Sequence, residues 1–177
     1  KITVQLNYQD SRSRYYPKIS TNGRDFAPLD STKFKVINPG EGEFGIQAAP
    51  ESAELTISVT EEPTWITAQE LYTSSVVKEW VDSLSQKPFI ENYPIGLSKE
   101  KRTMYLMEIN ESTDSKKAIM IISRQHPPEV TGFLAMKSFI ETISGDSELA
   151  KAFRKEHTVF VVPLMNPDGA DNGHWRH

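Results

Sequence analysis

"KAIMIISRQHPPEVTGFLAMKSFIETIS", residues 117–144, carries two hydrophobic periods in succession. Its opening, "KAIMIIS", is a continuous apolar run of the kind a strand buried on both faces shows. From Glu129 onward, Val130, Phe133, Leu134, Met136, Lys137, Ile140 and Ile143 follow a mostly helical spacing. A second apolar run, "HTVFVVPLM" at 157–165, reads as another buried strand. Strand, helix, strand is a βαβ unit, and its two strands are expected to be parallel. Parallel strands end on one edge of a sheet. The loop around His126 and the loop starting at Asn166 should therefore open on the same side, where open α/β sheets bind ligands.

The first loop reads "RQHPPE". Each proline pushes its predecessor toward extended backbone, which keeps His126 and Pro127 out of the helix, whereas Pro128 suits a first-turn position and Glu129 enters that turn. An imidazole and a carboxylate so placed can converge on one cation, and both are ligands that zinc accepts. The competing reading is structural: Glu129 complements the helix dipole and His126 is an ordinary exposed polar residue. The second loop is "NPDGADNGHWRH", 166–177. Asn-Pro-Asp-Gly fits a type I turn. Arg176 is either a surface charge or a guanidinium able to polarise a carbonyl and stabilise the oxyanion that develops on it. His157 opens a strand and so belongs at the opposite edge, whereas His174 and His177 lie on the correct loop and suit the lining of a cleft.

Upstream, residues 1–66 read as short strands ("KITVQLNY", "RYYPKIS", "KFKVI", "GEFGIQAA", "AELTISVT") separated by turn signals. Such a series predicts a small antiparallel β-sandwich. "EEPTW" marks the boundary, and residues 67–177 form the second domain. There "TAQELYTSSVVKEWVDSLSQ" predicts an amphipathic helix capped by Thr67 and ended by Pro88, and the stretches around 93–97 and 103–109 predict strands joined by a turn. Tyr15, Tyr16 and Trp65 serve either as packing residues or as a sugar-binding face.

Composition narrows the partners. The chain of 177 residues has a net charge of −4, which gives no electrostatic reason to expect nucleic acid or an anionic membrane surface. No apolar run approaches the roughly 18 residues of a membrane span. Without cysteine, any metal must be held by His, Asp or Glu. The first residue is Lys1, not Met, which leads us to expect a segment upstream of the numbered chain.

"RQHPPEVTG" after one strand, followed by "VVPLMNPDGADNGHWRH" after the next, resembles the zinc carboxypeptidase (metallocarboxypeptidase) family, especially its cytosolic-carboxypeptidase-like branch. The likeness covers about 68–177, and "YPIGLSKEKRTMYLMEI" is similar to that family's early hairpin. It implies an α/β fold, with a small β-sandwich ahead of the first part of a mixed-sheet catalytic domain. By the same resemblance His126 and Glu129 are zinc ligands, Arg176 polarises the scissile carbonyl, and Asn166, Pro167, Asp168 and Gly169 shape the loop that delivers it. The substrate implied is the C-terminus of a peptide or protein. Pro128 departs from the family, which often has glycine there. The family's third ligand histidine, its carboxylate-anchoring Asn-Arg pair and its general-base glutamate would follow His177, so the chain alone is expected to be inactive. Two other readings remain open at this point: a zinc amidohydrolase acting on N-acyl amino acids, and a non-catalytic binding module.

Overall fold

The computed structural model describes residues 1–8, 13, 15–37, 51–112, 114 and 117–176. They divide into two compact units, Lys1–Leu71 and Tyr72–His177.

The first unit holds two three-stranded antiparallel sheets. One has the order β1-β5-β4, from Ile2–Tyr8 (β1), Glu51–Ile57 (β5) and Phe34–Ile37 (β4). The other is β3-β2-β6, from Ala27–Pro28 (β3), Lys18–Ser20 (β2) and Trp65–Thr67 (β6). Leu29, Leu55 and Ile57 are buried together, with Val4 and Phe34 from the first sheet and Ile19 from the second packed against them. This is the expected small sandwich. Because Trp65, Ile66 and Thr67 pair with Ser20, Ile19 and Lys18, a boundary at 66/67 would cut β6, and the first unit runs on to Leu71. "RYYPKIS" contributes only Lys18–Ser20 as strand, and the expected strand "GEFGIQAA" lies outside the described residues. Tyr16 spends its hydroxyl on the Leu29 carbonyl and its ring on Phe34, edge-on at 5.1 Å. Trp65 lies against Gly23, whose φ of +70° and close approach to the indole both favour a residue without Cβ. Tyr16 and Trp65 are thus engaged in packing.

The second unit is built on a four-stranded mixed sheet, β7-β8-β10-β9. Ile90–Leu97 (β7) and Thr103–Ile109 (β8) form the predicted hairpin, and Pro94 is tolerated because β7 is an edge. His157–Val162 (β10) is antiparallel to β8 and parallel to Lys117–Ile122 (β9), with Val162 opposite Ile122. The two strands therefore finish together.

Three helices cover the sheet: Ser74–Leu84 (α1), Val130–Ile143 (α2) and Glu148–Glu156 (α3). Val77, Val81, Phe133, Ile140, Met107, Ile109, Val159 and Val161 form one buried cluster, each such side chain contributing about 1.5–3 kcal/mol relative to exposure.

Two expectations need correction. The α1 cap is Thr73, whose hydroxyl accepts from Val76 N, because Thr67 is already committed to β6 and Leu71 lies outside the helix. Among the described residues no strand pairs with the outer side of β9, on which Met120 and Ile122 are 55% and 44% exposed. The crossover holds two helices, and α3 was not anticipated. Its Arg154 is only 1% exposed. Burial is made tolerable by donation to the Ile143 and Gly145 carbonyls, a pairing with Glu111 and a Phe89 ring 4.0 Å away.

Candidate active site

The β9/β10 pairing continues past the strand ends. Ser123 N donates to Val162 O at 2.9 Å, Met165 N to Ser123 O at 3.0 Å and Asn166 N to Arg124 O at 3.1 Å. Arg124 turns the chain with φ of +54°, an uncommon conformation for a residue with a side chain. Burial lowers its pKa, its guanidinium sits 5.8 Å from the Phe133 ring, and Nη1 reaches the Tyr72 carbonyl. The two loops are thus laced together before any functional side chain is placed.

Helix α2 begins at Val130, so Pro128 and Glu129 both precede it, slightly later than the proline pattern predicts. Glu129 occupies the N-cap position but makes no capping hydrogen bond. Its Oε1 lies instead 2.7 Å from His126 Nδ1. On the other side of the imidazole, Arg176 Nη1 lies 2.7 Å from Nε2. A guanidinium only donates, so Nε2 is the acceptor; the neutral ring then carries its proton on Nδ1 and donates it to Glu129. The structure brings His126, Glu129 and Arg176 into one line. Their side chains are solvent-accessible, with His126 40% and Glu129 57% exposed.

Arg176 is delivered by a short helix, Pro167–Asn172 (α4), where the sequence suggested only a turn. Asn166 caps it, Oδ1 accepting from Gly169 N at 2.9 Å, while its Nδ2 donates to the Arg176 carbonyl. Gly173 ends it in the left-handed region at φ +68°. A Cβ on Gly169 would stand 2.6 Å from Pro127 Cγ and 2.8 Å from Asn166 Nδ2. Close contact between α4 and the His126 loop therefore requires glycine. Gly169→Ala is expected to destabilise the chain by ~1–3 kcal/mol, read as a fall in urea midpoint.

The outer face of α4 is polar and held by the β7–β8 turn. Asp168 accepts from Ser98 Oγ at 2.7 Å, Glu100 N at 3.0 Å and Arg102 Nη1 at 2.7 Å. Burial alone would push the Asp168 carboxyl up, but these hydrogen bonds and the Arg102 charge hold it below the usual range. A depressed carboxyl stabilises the fold above its unfolded pKa of about 3.9 and loses that contribution as pH falls through the folded value. Urea midpoints of the parent and Asp168→Asn are therefore expected to differ at pH 6 and to draw together as pH falls below the ordinary carboxylate range.

His157 lies at the far end of β10, stacked on Phe153 with Nδ1 against its carbonyl, as expected for the opposite edge. His174 is exposed near Arg176, and His177 lies outside the described residues. Among the described residues no cluster of three His, Cys, Asp or Glu could hold a metal, and no helix is long and apolar enough to cross a membrane.

Residues 77–177 match the zinc carboxypeptidase family. The chain belongs to that family. Mouse cytosolic carboxypeptidase 3 is 31% identical over 113 residues, covering 59% of this chain and 11% of the relative; Xenopus tropicalis cytosolic carboxypeptidase 2 is 36% identical over 115 residues, covering 59% and 12%. The chain thus spans a small part of the zinc carboxypeptidase relatives it matches. In fold it is similar to a metallo-carboxypeptidase from Burkholderia cenocepacia (TM-score 0.70, 23% identity, 92% of this chain and 41% of that one). It is also similar to a metallo-carboxypeptidase from Pseudomonas aeruginosa (TM-score 0.66, 23% identity, 92% and 40%).

Proposed function

We propose that the full-length protein is a zinc-dependent carboxypeptidase that removes C-terminal residues from peptides or proteins, that His126 and Glu129 are two of its metal ligands, and that Arg176 polarises the scissile carbonyl. In this reading residues 72–177 are the first part of the catalytic domain, and the unit ending at Leu71 is a sandwich domain preceding it. The observation that carries the proposal is the orientation of Glu129, which makes no capping hydrogen bond to its own helix and reaches His126 instead, with Arg176 on the same imidazole.

The donor set fits zinc. An imidazole nitrogen and a carboxylate oxygen are ligands zinc takes at about 2.0–2.2 Å, which places two tetrahedral donors about 3.4 Å apart. Nδ1 and Oε1 stand at 2.7 Å, and the exposed Glu129 side chain can open that gap. Bound there, zinc would supply Lewis acidity to a carbonyl and acidify a water molecule. His126 would give up its Nδ1 proton, as a ligating imidazole must, and a neutral ring would then carry hydrogen on Nε2. Nε2 could no longer accept from Arg176. The guanidinium would therefore turn away from the ring, free to donate to a substrate carbonyl and hold the charge that develops there.

The test uses the full-length protein: stoichiometric zinc by elemental analysis, release of free C-terminal amino acid from peptides, and loss of that release on chelation with recovery on adding zinc. Well-folded protein that binds no zinc and releases no amino acid would sink the proposal.

A further inference from the structure

Arg176 sits in a stretch with little of its own to hold it. Trp175 beside it is 70% exposed. The described hydrogen bonds that fix 174–176 run to His126, to α4 and to its cap: His174 N donates to Gly169 O at 2.9 Å, and the Arg176 carbonyl accepts from Asn166. The placement of the guanidinium thus depends on the placement of α4. That helix spans only Pro167–Asn172, well below the length at which a helix is stable alone. Its buried residues are Pro167 and Gly169, with Ala170 packed against the core, a small apolar surface that leaves polar contacts a large share in fixing the helix.

One side chain bridges the two ends of this helix. Arg102 Nη1 donates to Asp168 in the first turn at 2.7 Å, and Arg102 Nε pairs with Asp171 in the last turn at 2.8 Å. Ser98 Oγ and Glu100 N complete the hold on Asp168, and Glu100 also accepts from Asn172 Nδ2 at 2.8 Å. Asp171 continues the path by accepting from Ser74 N and Oγ at the start of α1. The turn between β7 and β8 therefore grips α4 at its first and last turns through planar, two-directional donation that lysine cannot reproduce.

We propose that Arg102 is a positioning residue for Arg176: it fixes the attitude of α4 and, through Asn166, the place from which the Arg176 guanidinium reaches His126 and, on the functional reading above, the substrate carbonyl. Arg102 itself lies outside the His126–Glu129–Arg176 line and acts only through α4.

The experiment has two arms. In the first, long-range proton–nitrogen spectra of the 177-residue chain, recorded without metal, report which His126 nitrogen carries the proton, with His126→Asn assigning the signal and Arg176→Gln marking complete loss of the contact. Arg102→Ala is expected to move the His126 nitrogen shifts at least half-way from the parent values to those of Arg176→Gln, whereas a general loss of stability would leave the folded-state spectrum unchanged. Asp168→Asn, which keeps the side-chain shape, is expected to move them in the same direction and decides the matter should Arg102→Ala fail to fold. Folded variants with parent shifts would overturn the inference. In the second arm, Arg102→Ala in the full-length protein should lower kcat at least tenfold with KM within twofold, and a change confined to KM would also overturn it. An inactive full-length parent would defeat the functional reading alone, leaving the spectral arm to judge Arg102.

Discussion

His126→Ala in the full-length protein is expected to lower C-terminal hydrolysis by at least about 10³-fold, the loss of several kcal/mol of Lewis-acid stabilisation together with the acidified water. The parallel change Glu129→Gln keeps the shape of the side chain but removes the charge that draws a cation, and should lower zinc occupancy without unfolding the protein. Both side chains are well exposed and neither belongs to the buried cluster, so melting temperatures measured without metal should stay close to the parent. Zinc content, hydrolysis and melting temperature of purified variants check the claim. Full activity in either variant would remove that residue from the metal site, whatever else the protein does.

What could be read from the sequence depended on how directly each period maps onto backbone. The hairpin, β10, α2 and the shared end of β9 and β10 were legible because each rests on a local apolar pattern, and the pairing of the two loops followed from the direction of the strands alone. Helix α3 was hidden by its polarity, since nothing local shows that the carbonyls of Ile143 and Gly145 will receive Arg154. The site divides similarly. His126 and Glu129 share one loop and could be named together, whereas Arg102 contributes through Asp168 and Asp171, contacts that exist only after the hairpin has met α4. The "SKEKR" turn gave one signal, a serine and a basic residue placed to donate from one turn, but no partner for them could be read locally.

Arg176→Ala in the full-length protein is expected to reduce kcat by about 10²–10³-fold, the usual cost of removing one donor from a developing oxyanion, while KM changes little. The split follows from where the guanidinium spends its hydrogen bond. In the structure Arg176 donates to His126 Nε2, and that acceptor would be lost were a neutral ring to ligate through Nδ1 and carry its proton on Nε2. A donor released in this way interacts most strongly with the charge of the transition state, and an interaction made there rather than in the ground state appears in kcat. Arg176→Lys should recover only a small part of the loss, because an ammonium lacks the planar fork that the Asn166 anchor aims from a fixed backbone position. A rise in KM with kcat intact would instead make Arg176 a ground-state binding residue, and would place the stabilisation of the oxyanion on another group.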